Sequence, residues 1–573
     1  MAETVNSNVL SWMESNIDKT SKDEIIKMLQ ENETELLDSF YKKLEFGTGG
    51  MRGKMGIGSN RINKYTIGLA TQGFSNYLKV NYKNFKEIKI VIAYDSRNNS
   101  KEYARIAAEV LSANDIFVFL FDDMRPTPEL SFSIRSLNAQ GGIVITASHN
   151  PKEYNGYKVY WDDGAQIVAP HDKNIIEEVN KLSLNDINFD FKEEKISIIG
   201  EDIDSIYLAE LKNISFRDSI EEEDIKILYT PIHGTGIKLL PNAMKIFGFK
   251  NFEVFEAQAT PDGNFPTVKS PNPENKETLE MVIAEAKTKN SDLILATDPD
   301  ADRVGVGINK GNGEFYLLNG NQTGSILTYF ILNVLKQKNK LFKDDYIVKT
   351  IVTTDLISQI AAKFDVKCEN VLTGFKYIAQ LIREKVGEKF LGGFEESYGY
   401  LFSDFVRDKD AIMSSIVIAE AYAWAKNQGK SLWDILMDIY IEYGYYKEKL
   451  VNIQKEGQKG QEEIQTIMQN LRDDAPALIN DTNVIIISDY LTGIESNLFN
   501  GTQNKINLPS SNVLQFTLED GSKITIRPSG TEPKIKYYFS VNEKLPSKEK
   551  YDEVDKILEQ RLKNLSEAII SFE

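Results

Sequence analysis

Cysteine is all but missing: Cys368 is the single one in 573 residues. That excludes an intramolecular disulfide and fits a reducing, cytoplasmic setting. A small buried hydrophobe is the expected role for it. Histidine is nearly as scarce, and His149, His171 and His233 lie far apart without cysteine partners, so a zinc site is not expected. No run of apolar residues is long enough to span a bilayer, and the start, "MAETVNSNVLSWMESNIDKT", lacks a basic segment followed by an apolar one. Neither a membrane span nor a secretory signal is expected. An excess of positive charge is also missing, the formal net charge being −18. Nucleic acid and anionic membranes are therefore poor partners for the surface as a whole. A local cluster of Arg and Lys could still receive an anionic small molecule. Strict repeats and low-complexity tracts are absent.

What is present is an ordinary globular composition, 41% hydrophobic and 27% charged. The length calls for several cores, about three to five domains. Residues 1–45 read as helices forming a solvated amphipathic extension. From residue 88 a grammar of short apolar strands and helices begins: "EIKIVIAY", "SKEYARIAAEVLSAN", "DIFVFLF". It returns at "DIKILYTPIHGTG", "SDLILATDPD" and "YIVKTIVTT", as parallel βαβ units require. The grammar changes after about residue 447, where "KITIRPSGTEPKIKYYFSV" predicts two strands around a polar loop and the chain ends in an amphipathic helix. The expected domains are 1–205, 206–318, 319–447 and 448–573, three α/β and a last α+β.

Four loops carry chemistry. In "LILATDPDADR" the carboxylates of Asp298, Asp300 and Asp302 follow a buried strand, at the end where ligands gather in α/β sheets. On a nearly extended backbone that spacing points all three the same way. An all-carboxylate set suits a hard divalent cation, most plausibly Mg²⁺. Arg303 is placed to hold a phosphate oxygen; an acidic turn is the plainer alternative. In "TASHNPKEYNGYK" (residues 146–158) Ser148 also falls just past a strand, and no Gly-x-Ser-x-Gly elbow is present. A serine beside a metal rather than a triad suggests phosphoryl transfer. In "RPSGTEP" Arg527, Ser529, Gly530 and Thr531 offer a planar fork, hydroxyls and close backbone N–H groups to a phosphate. In "GGFEESYGY" Glu395, Glu396 and Ser397 supply acceptors for sugar hydroxyls, with Arg407 and Lys409 soon after.

These four stretches, in their order along the chain, with "FGTGGMRGKMG" near the start, resemble the active-site loops of the α-D-phosphohexomutases across residues 46–538. The longer phosphoglucomutase branch, which includes phosphopentomutases, is the most similar. The resemblance implies a four-domain, heart-shaped molecule around a central cleft, with Ser148 carried as phosphoserine. It implies that Ser148, Asp298, Asp300 and Asp302 ligate Mg²⁺, with glucose 1,6-bisphosphate as intermediate and activator. Arg52, His149 and Lys158 match positions near the transferring phosphoryl group. Glu395, Ser397, Thr373 and Gly374 match positions facing the sugar. One branch has a histidine two residues after the serine of the sugar loop; here Gly399 stands there, and Lys409 is the candidate substitute. The implied activity interconverts glucose 1-phosphate and glucose 6-phosphate. Phosphopentomutase, glucose 1,6-bisphosphate synthase and phosphomannomutase activities are the alternatives. The expected partner is a small phosphosugar, and the expected state a monomer or small homo-oligomer.

Overall fold

The computed structural model describes residues 2–47, 49–217, 224–311, 313–455, 457–529 and 534–572. The chain divides into two compact units. One comprises Met1–Asn319, Phe375–Phe390 and Ser397–Ala423; the other Gly320–Gly374, Leu391–Glu396 and Trp424–Glu573.

The first unit opens with the helices Ala2–Glu14, Lys19–Glu31 and Glu33–Phe40. They are not the solvated extension expected from their charge. Val5, Val9, Trp12, Ile25, Leu36 and Phe40 bury a common face against Ile57 and Tyr65. The Trp12 ring meets Phe40 and Tyr65 edge-on, each at 5.7 Å. Arg61, only 3% exposed, clamps the layer by bonding Glu35 at 2.8 Å and Asp38 at 2.6 Å.

Six strands follow: β1 (Gly50–Lys54), β2 (Lys89–Tyr94), β3 (Phe117–Phe121), β4 (Gly141–Ile145), β5 (Tyr154–Trp161) and β6 (Ile196–Ile199). They lie in the order β1-β5-β4-β2-β3-β6. The β4-β2-β3-β6 part is parallel, while β5 runs antiparallel to both β4 and β1. The parallel strands read as unbroken apolar runs because helices cover them, and Phe74, Leu78, Ala107 and Leu111 pack on Ile90, Ile92 and Ile143. Tyr94 of β2 pairs with Ile145 of β4, so both strands end on the same edge and Asp95 lies beside Thr146.

A second sheet is built from β7 (Ile227–Thr230), β8 (Phe252–Val254), β9 (Leu293–Thr297), β10 (Val304–Asn309) and β11 (Phe315–Leu318), ordered β11-β10-β9-β7-β8. β7 is parallel to β8 and β9, and β9 turns directly into antiparallel β10.

In the second unit, Asp345–Thr350 runs parallel to Lys367–Val371 through the crossover helix Leu356–Lys363. The C-terminal part is an antiparallel sheet in which Tyr445–Gln454, Lys534–Glu543, Lys523–Pro528, Leu514–Leu518 and Thr482–Asp489 follow one another. The helix Tyr551–Ile570 buries Val554, Leu558, Leu562 and Leu565. This is the expected class, α/β domains with mixed sheets followed by an α+β domain. Among the described residues, no helix is long and apolar enough to cross a membrane.

Candidate active site

In the first unit the loops after β4 and β9 converge. Asp298, Asp300 and Asp302 are each 0–1% exposed, and one oxygen from each lies within 4.8 Å of the others. Their convergence does not come from an extended backbone, as the spacing suggested. It comes from the tight β9–β10 turn, in which Ala301 takes a positive φ of 49° and donates to the Asp298 carbonyl at 2.9 Å. The amides of Asp302 and Arg303 both donate to Asp298 Oδ1, at 3.1 and 3.0 Å. Gly234 supports the turn from below, since a Cβ there would stand 2.5 Å from Pro299 Cα.

Ser148 faces this turn. Its hydroxyl donates to Asp298 Oδ2 at 2.7 Å and lies 3.1 Å from His149 Nδ1. Lys158, on β5, donates to Asp300 Oδ2 at 2.8 Å and to Asp302 Oδ2 at 3.3 Å. Lys409 reaches Asp302 Oδ2 at 3.1 Å and Asp408 at 3.2 Å. The charge balance separates the carboxyls. Burial, with Asp300 and Asp302 nearby, pushes Asp298 well above the usual carboxylate range. Asp300 and Asp302 are held low despite their burial, Asp300 mainly by Lys158, Asp302 by Lys409 and Lys158 against the push of Asp300. Burial, then Arg303 and Arg52, keep the His149 imidazole neutral.

The triad fits a divalent cation. Asp300 Oδ1 and Asp302 Oδ1 are buried and receive no hydrogen bond among the described residues, an arrangement costly for carboxylates unless something positive fills the space. All the donors are hard oxygens, and among the described residues no sulfur or imidazole joins them.

Arg52, on β1, pairs with Gly156 of β5, two residues from Lys158, so Arg52 and Lys158 share a face of the sheet. Its guanidinium donates to Asn150 Oδ1 at 3.0 Å. Arg303, expected to meet phosphate, donates to Glu274 Oε1 at 2.7 Å. Ser397 is half-buried in a loop tied to β10 by the bond from Val304 N to Tyr398 O, at 3.1 Å.

The remaining predicted residues belong to the second unit. Glu395 is 5% exposed, and Glu396 accepts from Thr350 Oγ1 at 3.2 Å and Thr353 Oγ1 at 3.3 Å. Gly374 has a φ of 119°, and the buried Thr373 hydroxyl has no partner among the described residues. Arg527 lies opposite Lys536 in the sheet, near the Tyr538 phenol. The Tyr538 phenol is pushed up by burial and then by Glu396, while Arg527 pulls it down and Glu395 adds to the push. Ser529 N donates to Lys534 O at 2.7 Å. Gly530 and Thr531 lie outside the described residues.

The sequence reading missed Asp95, Arg97 and Thr127. Thr127 donates to Asp300 through its amide at 2.9 Å and its hydroxyl at 3.2 Å. Asp95 and Arg97 brace the loop around Ser148. The available signal was "YDSR" directly after a buried strand, at the same sheet edge as the serine.

Comparison with known proteins identifies the family. The models of phosphoglucomutase/phosphomannomutase α/β/α domains I, II and III match residues 43–186, 205–311 and 319–443. The chain is 38% identical over 538 residues to the phosphoglucomutase of Staphylococcus haemolyticus, covering 92% of this chain and 96% of that one. It is 38% identical over 530 residues to the phosphoglucomutase of Staphylococcus aureus strain MRSA252, covering 91% and 94%. Among solved structures, parafusin (phosphoglucomutase) from Paramecium in its open form matches with a TM-score of 0.67 at 19% identity, covering 93% and 96%. A phosphoglucomutase/phosphomannomutase family protein from Burkholderia thailandensis matches with a TM-score of 0.66 at 19% identity, covering 92% and 97%. At that identity the two structures speak for the fold alone.

Proposed function

The chain belongs to the phosphoglucomutase/phosphomannomutase family, and we propose that it interconverts glucose 1-phosphate and glucose 6-phosphate through a phosphoserine at Ser148. The observation that carries this reading is the Ser148 hydroxyl 2.7 Å from Asp298, in a buried carboxylate triad with lysines on its other side. The glucose preference rests on the name shared by the staphylococcal relatives.

Asp298, Asp300 and Asp302, together with the phosphate on Ser148, would hold Mg²⁺. When bound, the ion supplies charge neutralisation at the phosphoryl oxygens. In the first half-reaction the bond from phosphorus to Ser148 Oγ breaks as a bond to the free sugar hydroxyl forms, and the proton of that hydroxyl ends on the Ser148 oxygen. Glucose 1,6-bisphosphate results. After the bisphosphate turns over, its other phosphate returns to Ser148, leaving the isomeric monophosphate. The same bisphosphate supplied from solution primes an unphosphorylated enzyme.

Lys158, paired with two carboxylates, is an ammonium in the ground state and acts by stabilising charge; Lys409 and Arg52 add to that field. Neutral His149 lies 3.1 Å from the Ser148 hydroxyl and is placed to hydrogen-bond that oxygen rather than to carry a positive charge. Arg527, Ser529, Gly530 and Thr531 are assigned to the phosphate that does not react. Arg303 is assigned to the phosphoryl side, and Glu395, Ser397, Thr373 and Gly374 to the sugar hydroxyls. The substrate is thus gripped at a feature common to both orientations, its phosphate.

Two coupled assays test the reading, both with Mg²⁺ and a trace of glucose 1,6-bisphosphate. One follows glucose 6-phosphate formed from glucose 1-phosphate, the other ribose 5-phosphate formed from ribose 1-phosphate. A larger kcat/KM for the hexose is expected. A larger value for the pentose would overturn the substrate assignment and leave the phosphoryl chemistry standing.

A further inference from the structure

The strained backbone at Ser148 needs a cause. Its φ of 50° lies in the left-handed region, which side chains other than glycine, asparagine and aspartate rarely adopt unless their surroundings impose it. Two contacts do so. Ser148 N donates to Thr146 Oγ1 at 2.8 Å, and Ser148 O accepts from Arg97 Nη2 at 2.7 Å. The same guanidinium donates to Asn150 O, to Pro151 O at 2.9 Å and to Tyr154 O at 3.0 Å. One side chain thus takes four carbonyls of the loop that carries Ser148.

Arg97 is itself fixed. It is 3% exposed, its ring neighbour Phe265 lies 5.0 Å from the guanidinium carbon, and its Nε faces Asp95 Oδ2 at 3.3 Å. Asp95 also receives the Arg97 amide at 2.9 Å, the Ser100 hydroxyl at 2.7 Å and the Thr146 hydroxyl at 2.6 Å. The chain of contacts is closed: Asp95 holds both Thr146 and Arg97, and these hold the amide and carbonyl of Ser148.

We propose that Arg97, anchored by Asp95, is a positioning residue for the phosphoryl transfer, which sets where Ser148 Oγ stands against the carboxylate triad. The inference rests on the mutase reading and extends it to residues that touch neither substrate nor metal. Only a planar fork with two donors on each terminal nitrogen can serve four carbonyls at once; a lysine ammonium has three donors from one point. Because the clamp aligns the transferring serine and contacts no sugar, its loss should lower kcat and leave KM nearly unchanged.

The test compares wild type with Arg97→Lys and with the milder, nearly isosteric Thr146→Val, at saturating Mg²⁺ and glucose 1,6-bisphosphate. The expected result is a kcat lower by roughly a hundredfold for Arg97→Lys and roughly tenfold for Thr146→Val, with KM for glucose 1-phosphate within about twofold. Phosphorylation of Ser148 by glucose 1,6-bisphosphate, followed by intact mass in a rapid-mixing experiment, should slow by similar factors. If Arg97→Lys does not fold, Thr146→Val decides alone. Unchanged kcat in a folded variant, or a KM that rises as far as kcat falls, overturns the proposal. Inactivity of the wild-type enzyme on phosphosugars would instead sink the mutase reading.

Discussion

At Ser148 the chemistry depends on one oxygen atom, and the surrounding contacts are mostly to backbone and carboxylates that its removal leaves in place. Ser148→Ala is therefore expected to cut turnover by more than roughly a thousandfold, with an unchanged circular dichroism spectrum. Substantial residual mutase activity would remove Ser148 from its assigned role. A second residue tests the electrostatics away from the reacting atoms. Asp410 is fully buried, accepts from Tyr207 Oη at 2.6 Å and from Met413 N at 2.9 Å, and burial raises its pKa to about 6. A folded pKa above the unfolded one means that the native state holds the extra proton between roughly pH 4 and 6. Stability contributed at this site is present in acid and lost as pH rises through that window. Between pH 4.5 and pH 7 the stability of wild type relative to Asp410→Asn should fall by about 2 kcal/mol, read from urea titrations. A pH-independent difference would show that Asp410 titrates normally.

At the scale of elements, the strands were legible because their apolar runs end abruptly. β2, β4 and β9 each stop where a charged or hydroxyl-bearing loop begins. That is why Ser148 and the three aspartates could be found in the sequence without knowing how the strands pair. Two things were not legible. The convergence of the carboxylates needed the turn at Ala301, whose left-handed conformation no alanine announces. The bracing of Ser148 by Asp95 and Arg97 needed the register of β2 against β4, a pairing between strands about fifty residues apart. The N-terminal helices were misread for a similar reason. Their apolar residues are spread over three short segments, and the partners that bury them, Ile57 and Tyr65, come later in the chain. Trp12 lies at the centre of that layer, 5% exposed. Trp12→Ala is expected to cost about 3–5 kcal/mol of local stability, seen as faster hydrogen exchange through residues 2–40, with kcat within about twofold of wild type. A matching collapse of kcat would mean that the layer supports the chemistry as well as the fold.

Taken whole, the molecule carries a net charge of −18 and still has to attract doubly charged phosphosugars. Cations gather around Ser148 and the triad within one unit: Arg52, Arg97 and Arg303 all act on His149, and Lys158 and Lys409 pair with the triad. Asp300 Oδ1 and Asp302 Oδ1 are buried without hydrogen bonds among the described residues, and burial, then Asp300 and Asp302, drives Asp298 towards protonation. A cation that binds the folded chain and not the unfolded one stabilises it by mass action, by about 2.7 kcal/mol at a hundred times its dissociation constant. Metal-stripped protein should therefore gain thermal stability on titration with Mg²⁺, and calorimetry should give one site per chain. Asp300→Asn keeps a polar side chain of the same shape while removing its carboxylate charge. It should abolish that gain and also lower the metal-free melting temperature, because Lys158 holds the Asp300 carboxylate ionised and would lose that charged partner. An equal rise in both proteins would place the stabilising cation elsewhere on an acidic surface, and the triad would have to be read as a structural turn.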